Sequence, residues 1–253
     1  MKNLTIALGL YFGAAGLFPA QADPITKGLS LWLKADNGLA TDGSSWTDQS
    51  GNGHNATAIA GQAPTYIPSA LKGLPAAHFN GAQAMSISGQ VLTSQKFTII
   101  AVATDETTSA QTNYREIVSN WNAPTGGQSI FLGTVWKKPA DKFLDRIRFT
   151  DTIGGAGQGQ QGVGQINKPK NVFILSGVSG KANAFVYVGT KRQYALGAPL
   201  DARDLTAGWY LGEQGTLNSE FWTGDIAEVL VYNRALTKQE LGQDISYLEL
   251  KWQ

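Results

Sequence analysis

The sequence has no cysteine and only two methionines and two histidines among 253 residues, and 15% of it is charged. Each scarcity closes off a class of protein. Without cysteine there is no disulfide framework and no lipid-modified N-terminal cysteine, so an exported fold would rest on its core alone. Zinc held by cysteine is excluded, and His54 and His78 do not form the H-x-x-x-H spacing that a helix uses to grip zinc. Neither histidine accompanies a nucleophile motif such as G-x-S-x-G, and both read as structural. A net charge of +1 gives no electrostatic reason to expect nucleic acid or an anionic membrane as partner.

Long apolar runs are missing after the N-terminus. There, Lys2 precedes an apolar stretch from Leu4 to Leu17, and Ala20-Gln21-Ala22 has the small-x-small form of a signal-peptidase site. The expectation is a secretory signal over residues 1–22, cleavage near Ala22, one domain over 23–253, no membrane span, and a periplasmic or extracellular location.

Glycine is abundant, at 30 residues, beside 42% hydrophobic residues. Period-two runs recur from Leu29 to Leu33, Phe97 to Ala103, Glu116 to Trp121, Ser129 to Trp136, Phe143 to Thr150, Val172 to Gly177, Ala184 to Gly189 and Trp209 to Gly212. Each is short and closed by turn residues. Many short strands without helical periods between them predict an all-β fold, a two-sheet antiparallel jelly-roll sandwich. One helix is predicted, at the C-terminus. Thr237 and Glu240 form a capping box, Leu236 can staple onto Leu241, and Leu241, Ile245, Leu248 and Trp252 share a face.

Three motifs bear on chemistry. The stretch WTDQSGNGHNATA, residues 46–58, opens like a calcium loop, but the twelfth position falls on Ile59, which has no oxygen to give. It reads instead as a corner in which Trp46 anchors the turn, Asp48 and Asn52 satisfy its amides, and Gly51 and Gly53 take the backbone signs it needs. Gly157, Gly159 and Gly162 spell G-x-G-x-x-G without a helix to follow, which suits a hairpin loop better than a dinucleotide site. Asp225 and Glu228, three apart, are expected on opposite faces of a strand, so they do not make the paired acids of a glycosidase. Glu228 is expected to pair with Arg234. For sugar binding the candidates are Arg146 and Arg148 on one strand face, with Trp121 and Trp136 at nearby run ends, because sugars stack on rings and bond to planar polar groups.

The 46–58 stretch, the segment APTYIPSALKGLPAAHFNGAQAM and the closing GDIAEVLVYNRALTKQELGQDISYLELKW together resemble laminin-G-like domains of the concanavalin A-like lectin and glucanase superfamily. That resemblance implies the same jelly roll with a short C-terminal helix. It also implies one structural calcium ion, for which the matching positions are Asp36, Asn80, Gly81 and Asp225. The superfamily includes binding modules, adhesive modules, hydrolases and lyases. Here the glucanase carboxylate motif and the alginate-lyase triplets Q-I-H and Q-V-H are missing. The resulting expectation is a secreted, non-catalytic carbohydrate-binding domain for polysaccharide or cell-surface glycan. The alternatives are a polysaccharide hydrolase or lyase, or a protein-binding adhesive module.

Overall fold

The computed structural model describes residues 23–107, 114–120, 130–136, 145–149, 165–166, 170–196, 203–215 and 220–253, with side chains described except at 135–136, 145–149, 165 and 194–196. Residues 1–22, Trp121 and the glycine-rich segment 153–164 lie outside the described residues. The strands are β1 (Leu29–Lys34), β2 (Ser45–Trp46), β3 (Ala56–Ala58), β4 (Thr65–Leu71), β5 (Leu74–Asn80), β6 (Met85–Ile87), β7 (Phe97–Ala103) and β8 (Tyr114–Ser119). They continue with β9 (Phe131–Trp136), β10 (Asp145–Phe149), β11 (Gln165–Ile166), β12 (Phe173–Ser179), β13 (Ala184–Val188), β14 (Lys191–Leu196), β15 (Trp209–Leu211) and β16 (Thr223–Tyr232). Helix α1 (Lys238–Trp252) closes the chain.

The strands form two antiparallel sheets. The first runs β14-β13-β12-β7-β16-β5-β4, with β1 also paired to β16; the second runs β11-β10-β9-β8-β15-β6-β3-β2. Between them lies a core that includes Leu31, Leu33, Phe79, Phe97, Ile99, Leu132, Trp209 and Val229. The result is the predicted jelly-roll sandwich.

A second apolar layer covers part of the first sheet, so that strands such as β7 are apolar on both faces rather than alternating. In β7 the residues Phe97, Ile99, Ala101 and Ala103 face the inter-sheet core, while Ile100 and Val102 join a separate cluster with Leu241, Ile245, Leu248 and Trp252 of α1. A strand covered on both faces loses its polar alternation. Helix α1 therefore covers part of the outer face of the first sheet. Its cap is as predicted: Glu240 N donates to Thr237 Oγ1 (3.2 Å), and Thr237 N donates to Glu240 Oε2 (2.8 Å).

Two local expectations are corrected. The register of β16 shifts between Ile226 and Glu228, and the extra residue Ala227 brings Glu228 to the same outer face of the first sheet as Asp225, against simple alternation. Glu228 also does not meet Arg234. Arg234 Nη1 instead donates to Glu240 Oε2 (2.8 Å), which reinforces the helix cap.

Candidate functional site

Asp48 settles the 46–58 corner. Its Oδ1 accepts from the amides of Trp32 (2.9 Å) and Ser50 (2.9 Å), and its Oδ2 accepts from Ser50 Oγ (2.7 Å) and the His54 amide (3.0 Å). Four donors saturate the carboxylate, so it is a backbone organiser. Gly51 and Gly53 have φ of 87° and 77°, and Trp46 is fully buried, as the corner reading requires.

Glu228 organises the opposite surface. Fully buried, it accepts from Trp32 Nε1 (2.6 Å) and Tyr247 OH (2.9 Å) on Oε1, and from Lys251 Nζ (2.9 Å) and Trp252 Nε1 (2.8 Å) on Oε2. Lys251 Nζ also donates to Asp36 Oδ1 (2.8 Å). This polar knot pins α1 to β1 and β16. Beside it a cleft of about 620 Å³ is lined by Asp23, Ile25, Asp244, Tyr247 and Leu250, among others. Of its two carboxyls, Asp244 already accepts from the Ile25 amide and Tyr232 OH, and burial raises its pKa.

Among the described residues no helix packs on the outer face of the second sheet. Register aligns one row across five strands, Thr57, Ser86, Tyr210, Ser119 and Phe131. Thr57 and Ser86 are exposed and Tyr210 is half-buried, whereas Ser119 and Phe131 are buried. Ser119 Oγ donates to the carbonyl of Glu213 (2.8 Å), so the turn after β15 closes over that end of the row. The adjoining row is Glu116, Gly133 and Arg148, and the next is Tyr114, Val135 and Arg146. Arg146 and Arg148 thus occupy positions of like parity on this face. Trp136 pairs with Asp145, one position out of phase with them.

Sequence reasoning passed over Glu213. It is buried, and desolvation lifts its carboxyl to about 7. It follows β15, a strand paired with β8, which carries the buried Glu116. No local motif marks it, because its burial comes from chain neighbours distant in sequence.

The positions nominated for calcium each have protein partners. Asp36 is engaged by Lys251; Asn80 Oδ1 accepts from the Ala82 amide (3.1 Å), and the Gly81 amide donates to the Trp222 carbonyl (2.9 Å). Asp225 is gathered with His78 and Glu106, and the donor atoms of the three lie within 4.8 Å of one another. Two carboxylates and an imidazole fall short of the six to eight oxygens that calcium prefers.

No protein-family model matches the chain, and no curated protein matches it. Solved structures do match. Domain 4 of AbnA, a GH43 extracellular arabinanase from Geobacillus stearothermophilus, in complex with arabinotriose, aligns with a TM-score of 0.61 at 16% identity, covering 86% of this chain and 97% of that one. Trypanosoma rangeli sialidase in complex with sialic acid aligns with a TM-score of 0.58 at 17% identity, covering 91% of this chain and 34% of the sialidase, so this chain spans about a third of that protein. The binding domain of Paraclostridial Mosquitocidal Protein 1 aligns with a TM-score of 0.61 at 13% identity, covering 88% of this chain and 53% of that one. Among the described residues no helix is long and apolar enough to cross a membrane. At these identities the likeness is one of fold, and the fold is an antiparallel β-sandwich.

Proposed function

We propose that the protein is a secreted, non-catalytic carbohydrate-binding module of laminin-G-like type that takes polysaccharide or cell-surface glycan on the outer face of its second sheet. The observation that carries this reading is the asymmetry of the sandwich. One outer face is covered in part by α1, and the other presents a register-aligned polar row, Thr57, Ser86 and Tyr210, beside rows bearing Arg146 and Arg148. Hydroxyls and guanidinium groups over a sheet suit sugar hydroxyls, and a tyrosine ring suits a sugar's C–H face. Similarity to an arabinanase domain seen with arabinotriose supports the ligand class. Export rests on residues 1–22, and sequencing the N-terminus of secreted protein should return Asp23 first.

Affinity gels cast with a panel of soluble polysaccharides test the binding reading. The parent protein should be retarded by at least one of them, and Tyr210→Ala or the double change Arg146→Ala with Arg148→Ala should release it. Folded protein retarded by none of the panel would end the proposal.

Glu213 favours a second reading, a polysaccharide hydrolase. A general acid needs a carboxyl held protonated near neutral pH, and Glu213 is such a group next to the strand that carries Glu116. Release of reducing ends from the same panel, abolished by Glu213→Gln, would replace the binding reading with the catalytic one.

A further inference from the structure

We propose that His78, Glu106 and Asp225 form a binding site for a divalent first-row transition metal, with zinc the best fit, on the outer face of the first sheet. The three residues come from separate segments. His78 lies on β5 and is paired in register with Asp225 on β16, and its Nδ1 is 2.9 Å from Asp225 Oδ1. Glu106 follows β7, and its amide donates to the Thr223 carbonyl (2.9 Å), which fixes its backbone beside the same strand.

A glycine makes this approach possible. Gly224 has φ of 138°, and a Cβ there would overlap the Thr104 carbonyl oxygen, so the segment carrying Glu106 can lie against β16 only where the side chain is missing. The Asp225 amide further donates to Thr104 Oγ1 (2.9 Å), locking the two segments together. The convergence is therefore built into the backbone.

Three features of the cluster point to a cation. Donor atoms within 4.8 Å of one another need little movement to reach the spacing of about 3.3 Å between ligands of a tetrahedral zinc. Two carboxylates are held together, yet among the described residues neither pairs with a lysine or arginine. Thr223 Oγ1, two residues before Asp225 on the same strand, is buried without a hydrogen-bond partner. One imidazole nitrogen with two carboxylate oxygens matches zinc-type ions, which accept three protein ligands and leave a position open. Calcium, which favours oxygen donors alone, is disfavoured by His78.

The test uses full-length protein stripped with a chelator and dialysed, then titrated with zinc by calorimetry and with cobalt by visible absorption. One equivalent of each should bind, with the cobalt spectrum of a low-coordinate nitrogen and oxygen site. His78→Ala and Glu106→Gln should each weaken zinc by about 100-fold or more, beyond the loss expected for a supporting group alone. Glu106 is exposed, so its variant keeps the fold, which metal-free melting verifies. Equimolar calcium should displace none of the zinc. Absence of stoichiometric zinc binding, unchanged affinity in both variants, or displacement by equimolar calcium would each overturn the proposal.

Discussion

At the scale of single residues, buried carboxylates divide by how many donors they meet. Asp48 meets four and serves the corner at residues 46–58. Replacing it with alanine strands the buried Trp32 amide and two turn amides, so Asp48→Ala should lower stability by about 3 kcal/mol in urea unfolding. That role was legible from sequence, because aspartate and glycine in a tight turn have few alternatives. Glu213 was not legible, because only the folded chain desolvates it. Its native pKa of about 7 lies above the ordinary 4.5, so between those values the native state keeps a proton that the unfolded state has released. Its contribution to stability is therefore full below about pH 4.5 and is lost as pH rises through about 7. Melting temperatures from pH 4.5 to 8 should fall more steeply for the parent than for Glu213→Gln. Equal slopes would remove Glu213 as the cause.

At the scale of elements, α1 was readable from its cap and its apolar face, and both stand where the spacing puts them. Its anchor was not readable. Glu228 was expected to pair with Arg234 at the YNRAL corner, but the extra residue at Ala227 turns Glu228 under the helix. There it gathers four donors from β1 and α1. Glu228→Ala should cost about 3–5 kcal/mol, because Lys251 would keep a buried charge without its main partner. Guanidinium unfolding of this variant beside Glu228→Gln separates loss of charge from loss of packing. If both variants melt with the parent, the knot does not hold the helix.

At the scale of the whole molecule, the sandwich was legible because short alternating runs and turn residues leave few alternatives. The sequence did not show which outer face α1 covers, since that depends on where the helix docks. Several strands were also missed. β4 contains Pro68 and β5 is rich in alanine, so neither shows strong alternation, and β2, β3 and β6 are two or three residues long. Of the three proposed metal ligands, Asp225 was reached only through the family resemblance, and His78 and Glu106 escaped local reading: each is ordinary in its own segment, and only the packing of β5 and of the segment after β7 against β16 makes them neighbours.

The place of β16 in the first sheet has a kinetic consequence. It lies between β7 on one side and β5 and β1 on the other, yet it begins at Thr223. Strands β1 and β7 therefore have no shared neighbour until the chain has been synthesised well past residue 223. Such long-range pairing makes folding slow relative to chain growth. On the proposal that residues 1–22 direct export, that delay is useful, because an unfinished sheet leaves the chain loose enough to be threaded through a membrane pore before its central strand arrives.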